Sequence, residues 1–328
     1  MSGLAALLVV TGMAAGAADP LSAALAEARA FVDAGKPAAA LERLAGWKAA
    51  EDPRVAHMLG VAYYHAGDHQ HAIAALTPLL DSLTPGSPER REAVQVLGLS
   101  HYLEGHLAQS VPLLEETRAV TPDNIELNHT LGMAYLQTDR PARARECFAR
   151  VFSVAPDSAA AHLLLAQMMI RVQLEGLAEA ELKHTLEIDP KAPRAQLLLG
   201  QIALAHGQLD EAVALTRREI AQSPGDAMAY YQLGDALGRQ QQWDAAVDAL
   251  QKSLWINPYF SGPYVLLGKG YLQKQQPATA EGMLRRALDV DPRNRTAHYL
   301  LGQVLQQTGR GEEAKREFET ARLIEAER

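Results

Sequence analysis

A 34-residue period dominates this chain. A Leu-Gly pair recurs at Leu59-Gly60, Leu97-Gly98, Leu131-Gly132, Leu199-Gly200, Leu233-Gly234, Leu267-Gly268 and Leu301-Gly302, with Leu165-Ala166 in the one gap. From Gly98 onward every step is 34 residues. The step from Gly60 to Gly98 is 38, which places four extra residues near Ser87–Arg90. Twelve residues after each small position stands another: Ala72, Ser110, Ala144, Ala178, Ala212, Ala246, Ala280 and Ala314. Four further on is a bulky side chain: Leu76, Leu114, Phe148, Leu182, Leu250, Leu284 and Phe318, with Thr216 the exception. A fixed period of this length restricts the chain to a repeat architecture, in which each unit buries its apolar face on its neighbours.

Each unit holds two apolar-periodic segments of helix length. A break at Gly67, Gly105, Asp139, Gly207, Gln241 or Gly309 separates them. Asp189-Pro190, Asn257-Pro258 and Asp291-Pro292 end second segments, because proline disfavours helix in the residue before it. Pro141 and Pro277 stand near helix starts, where proline is tolerated. Small residues at the paired positions let helix backbones approach, and filling such a site would overpack it at a cost of about 1–3 kcal/mol. Composition agrees. Hydrophobic residues make up 48% of the chain but aromatics only 5%. An apolar content carried mostly by Ala and Leu favours helix over sheet. The prediction is an all-α array of about nine helix-turn-helix units over residues 19–328, without separate domains. The units run approximately 21–52, 53–90, 91–124, 125–158, 159–192, 193–226, 227–260, 261–294 and 295–328. The heavily charged last segment, Glu312 to Glu327, reads as its own solvated cap.

The residues at this period resemble the tetratricopeptide repeat (TPR) family. Leu59-Gly60-Val61-Ala62-Tyr63 and Leu131-Gly132-Met133-Ala134-Tyr135 are similar to the first half of its pattern. Ala144-Arg145-Glu146-Cys147-Phe148 and Ala314-Lys315-Arg316-Glu317-Phe318 are similar to the second. The resemblance implies a right-handed helical solenoid that binds proteins or peptides. In the family, first helices line a concave groove through unit positions 2, 5, 9, 12 and 13. Carried onto this sequence, the groove residues are His57, Tyr64, His65, Tyr102, His129, Gln137, Gln167, Arg171, Gln201, Tyr231, Asp235, Arg239, Lys269, Gln273, Tyr299, Gln303 and Gln306. Tyrosine and arginine suit adaptable peptide contacts. The plainer reading is packing tyrosines and ordinary surface. Tyr231, Asp235 and Arg239, four apart on one helical face, are the strongest predicted anchor. The chaperone-tail clamp and the asparagine ladder of O-linked N-acetylglucosamine transferase arrays require Asn at unit positions that hold none here.

Catalytic chemistry is not indicated. There is no Walker loop, His-Glu-x-x-His or Gly-x-Ser-x-Gly. Gly268-Lys269-Gly270 falls inside a helical repeat with no strand before it. His57, His65, His69 and His71 share one unit, but no second cluster completes a metal-ligand set. Cys147 reads as a packed thiol. Lys and Arg number 31 against 39 Asp and Glu, a net charge of −8, so no basic surface for nucleic acid is expected. Neither cofactor nor metal is expected.

Leu4 to Val10 is an apolar run followed by the small residues Ala15 to Ala18. It is shorter than the roughly 20 residues of a membrane span. Residues 1–18 read as a secretory signal peptide, with export to a periplasm or beyond. An Ala-rich tail on a cytoplasmic protein is the alternative. The function expected is a non-enzymatic scaffold for a protein or peptide partner. The alternative is a regulatory or adaptor subunit whose catalytic part is another chain.

Overall fold

The repeated period becomes pairs of helices. The computed structural model describes residues 19–327, so the signal-like run at 1–18 lies outside it. Among the described residues there are eighteen α-helices and no strand. The chain divides into two compact units, one ending at Val151 and one beginning at Phe152. The first holds α1 (Pro20–Asp33), α2 (Pro37–Leu44), α3 (Pro53–His65), α4 (His69–Leu76), α5 (Pro88–Leu103), α6 (Leu107–Val120), α7 (Ile125–Gln137) and α8 (Pro141–Val151). The second holds α9 (Ala159–Arg171), α10 (Glu175–Ile188), α11 (Ala195–Ala205), α12 (Leu209–Gln222), α13 (Ala227–Arg239), α14 (Trp243–Ile256), α15 (Ser261–Gln273), α16 (Pro277–Val290), α17 (Arg295–Gln307) and α18 (Gly311–Ala326). Each odd-numbered helix packs against the even-numbered one that follows, and successive pairs stack within each unit as in a TPR solenoid.

Local chemistry sets the boundaries. Side chains of Asp52, Ser87, Asn124, Ser158, Asp226 and Asn294 accept backbone N–H bonds at the starts of α3, α5, α7, α9, α13 and α17. Pro141 and Pro277 open α8 and α16. Every predicted break sits at positive φ, including the non-glycine Asp139 (56°) and Gln241 (63°). The four extra residues extend α5, which Ser87 caps three residues before the expected unit boundary. Pro78 turns the end of α4 into one 3₁₀ turn, Thr77–Leu79.

The small positions are contacts. Ser110 is fully buried and donates its hydroxyl to Gly98 O at 2.8 Å, so α5 and α6 approach closely. A methyl group on Gly234 would lie 2.5 Å from Leu250 Cγ and 3.3 Å from the Ala246 carbonyl oxygen. Thr216, the exception to the bulky rule, is buried and donates to Ala212 O at 2.7 Å. Tyr135 is fully buried, and its hydroxyl donates to Glu115. In α18 the charges are paired: Glu313 with Arg310, Glu312 with Lys315 and Glu319 with Arg322.

Candidate interaction groove

In the first unit, α3, α5 and α7 bring a group of predicted residues to one cleft of about 490 Å3. Tyr64, Tyr102 and His129 line it together with Leu99, Leu103 and Ile125. Leu103 is 55% and Ile125 62% exposed, although both are large apolar side chains. Gln95, Glu126 and Thr130 supply polar groups around it. Burial pushes both phenols up. The Glu126 carboxylate adds to the effect at Tyr64, and a hydrogen bond with Gln137 opposes it at Tyr102. Both tyrosines therefore stay neutral hydrogen-bonding groups across the physiological range. An apolar floor with a few polar groups at its edge is the usual composition of a recognition site.

Leu99, Leu103 and Ile125 are absent from the predicted set, which selected polar and aromatic residues. The signal was available for two of them, since Leu99 and Leu103 occupy the ninth and thirteenth positions of their unit.

His57 is placed differently from expectation. It is 8% exposed, at the floor of a separate recess of about 350 Å3 lined by Leu25, Arg29, Arg54 and Met58. Its Nε2 lies 3.4 Å from Glu92, which Arg29 grips at 2.6 Å through both carboxylate oxygens. Burial holds the imidazole below its ordinary value, against the pull of Glu92. The unfolded chain then binds this proton more readily than the folded one. The neutral His57 therefore contributes stability that is present above about pH 6.5 and is lost as pH falls through the lower folded value. Thermal melts should show a smaller loss between pH 7.5 and 5 for His57→Gln than for the parent chain. An equal loss would mean that His57 is not the titrating group.

In the second unit Asp235, Arg239 and Lys269 line one shallow depression of about 10 Å3. The predicted anchor residues have partners within the fold. Arg239 pairs with Asp235 at 3.0 Å and also donates to Leu204 O on α11 at 3.2 Å. Tyr231 is half-buried, with its ring edge-on to Phe260 at 4.8 Å. Arg239 thus links α13 to α11, and Tyr231 packs on the residue that precedes α15. Gln167 and Gln303 are half-buried, and Arg171, Gln201, Lys269, Gln273 and Gln306 are exposed. Tyr299 is 49% exposed beside Phe318.

The early histidines do not converge. Tyr64 meets His65 edge-on at 5.3 Å and His69 at a tilt at 5.8 Å, and His71 bonds to Asp68 at 2.7 Å. No group of three or more His, Cys, Asp or Glu side chains among the described residues could hold a metal ion. Cys147 is buried beside Arg118, and burial pushes its thiol up, which makes it a poor nucleophile. Among the described residues no helix is long and apolar enough to cross a membrane.

Comparison with solved structures finds similar helical repeats. A MamA from Desulfovibrio magneticus RS-1 is 22% identical over 52% of this chain and 97% of its own, with a TM-score of 0.47. YrrB, described as a TPR protein with an unusual peptide-binding site, is 19% identical over 55% of this chain and 93% of its own, with a TM-score of 0.45. A tetratricopeptide repeat protein from Parabacteroides merdae is 19% identical over 75% of this chain and 96% of its own, with a TM-score of 0.43. No curated protein matches by sequence. Family models for the tetratricopeptide repeat match residues 25–88, 101–168, 173–227, 228–258 and 271–328. This coverage, with the helix pairs and their small-residue contacts, makes the chain a member of the tetratricopeptide repeat family.

Proposed function

We propose that the chain is a non-enzymatic scaffold that binds an extended peptide of a protein partner in the cleft of α3, α5 and α7. The observation that carries this reading is the exposed apolar pair Leu103 and Ile125, set beside Tyr64 and Tyr102 on successive first helices. A fold that only needed stability would gain nothing from holding these leucine and isoleucine side chains in water. A peptide laid across the cleft covers them. The tyrosine hydroxyls, Gln95 and His129 meet its polar groups and fix its register.

The experiment begins with peptides selected from a random display library on the purified chain. Hydrogen exchange with a selected peptide bound should slow in α3, α5 and α7. Protection confined to α9–α18 would overturn the assignment.

A further inference from the structure

The turn that joins α5 to α6 carries two histidines that face each other. His101 stands in the last turn of α5 and His106 at the cap of α6. Their Nδ1 atoms are 3.5 Å apart and their ring centroids 5.6 Å, so each ring aims that nitrogen at the other. His101 is half-buried and His106 exposed. Two nitrogen lone pairs facing each other repel, so a proton or a cation must lie between them. An N–H donor bond usually closes to roughly 2.7–3.2 Å, shorter than this contact. A zinc ion about 2.0–2.1 Å from each nitrogen would subtend about 115–120° at this separation, near the tetrahedral angle. The same placement puts the ring centroids about 5.5 Å apart, close to the distance found. Ligands at right angles, as in a square-planar site, would need the nitrogens only about 2.9 Å apart.

The repeat register shows that the fold does not require this pair. In the flanking units Tyr63 and Tyr135 stand in the place of His101, and Asp68 and Arg140 in that of His106. Both tyrosines are packing residues: Tyr63 stacks on the His71 ring, and Tyr135 is fully buried. Imidazoles occupy both positions in this unit alone.

We propose that His101 and His106 hold a zinc ion between their Nδ1 atoms. Imidazole is a common ligand for zinc, whereas magnesium and calcium take oxygen. Glu104, in the same turn, is engaged by the Gln70 amide at 3.1 Å. No third His, Cys, Asp or Glu side chain completes the set, so water fills the remaining positions. With two protein ligands in place of four, the site loads and releases zinc with its supply, and the helix pair folds without it. The ion ties the end of α5, where Tyr102 and Leu103 line the cleft, to the start of α6.

The test is a zinc chloride titration of the full chain, followed by NMR of the histidine ring nitrogens. Nδ1 of His101 and of His106 should shift together and saturate at one zinc per chain, before any of the other histidines responds. His106→Gln should remove the shift at His101 and weaken zinc binding at least about tenfold. His106 is exposed, so this substitution should leave the metal-free melting temperature unchanged. His101→Tyr, which restores the residue of the flanking units, should lose zinc in the same way. At one equivalent, zinc should raise the melting temperature of the parent chain and of neither variant. The titration of the parent needs no variant, so it stands even if a substitution fails to fold. No shift at the pair, a shift at only one of the two rings, or earlier saturation at His65, His69 and His71 would overturn the proposal. So would equal zinc affinity in His106→Gln.

Discussion

Gly234→Ala will destabilise this protein, while Gly282→Ala will stabilise it. Both glycines are in helices, α13 and α16, where alanine has the higher propensity by about 0.8–1.0 kcal/mol. At Gly282 a methyl group meets nothing within 4 Å, so that gain is kept. At Gly234 it would meet Leu250 Cγ at 2.5 Å, Leu250 Cδ2 at 2.6 Å and the Ala246 carbonyl oxygen at 3.3 Å. Leu250 is 2% exposed, so its branched end must shift among packed neighbours, and a backbone oxygen cannot rotate away. Overpacking of this kind costs about 1–3 kcal/mol, which outweighs the propensity gain. Gly234→Val adds two further carbons and a stiff χ1 and should cost at least about 2 kcal/mol. Urea unfolding followed by circular dichroism measures both signs. Destabilisation by both alanine substitutions, or by neither, would mean that the paired small positions are not what sets the helix spacing. A repeat array can also unfold in parts, so hydrogen exchange in α13 and α14 is the more local readout.

The elements read most directly from the chain were those that recur in every unit. The Leu-Gly pairs, the small residues twelve further on and the closing prolines located the helix pairs because each answers one local steric demand, repeated. The turns at Asp139 and Gln241 were also legible from register alone, although neither is glycine. What escaped were departures peculiar to one unit. The start of α11 has no capping side chain of its own. Arg194 sits at φ 65° and donates its N–H to Glu219, a carboxylate 1% exposed. The residues in the same register are the small Thr185, Ser253 and Ala287. Nothing in a single sequence distinguishes a glutamate reaching back to a helix start from one pointing to solvent.

The site was legible only in part, for a related reason. Tyr64, Tyr102 and His129 were found by register, and the structure joins them in one cleft. Tyr231 and Arg239 stand in the same register, but their side chains also contact Phe260 and the Leu204 carbonyl. Register gives the face of a helix, whereas the partner of a long side chain depends on its neighbour's geometry. The apolar half of the cleft is hard to read from sequence because leucine and isoleucine are expected inside.

A peptide in that cleft must bury Leu103 and Ile125, so a charge at either position should be tolerated by the fold and resisted by the complex. Surface substitutions of this kind usually change stability by no more than about 0.5 kcal/mol. Ile125 opens α7, where an aspartate is favoured by the exposed N–H groups of the first turn. In the complex the same carboxylate would be desolvated against apolar peptide without a partner. The most direct measurement is the affinity of one display-selected peptide for the parent chain and for Leu103→Asp with Ile125→Asp, read by calorimetry beside a thermal melt. Binding should weaken at least about thirtyfold, near 2 kcal/mol, with little change in melting temperature. Unchanged affinity, or a loss that appears only where the chain has unfolded, would contradict binding in the groove of α3, α5 and α7.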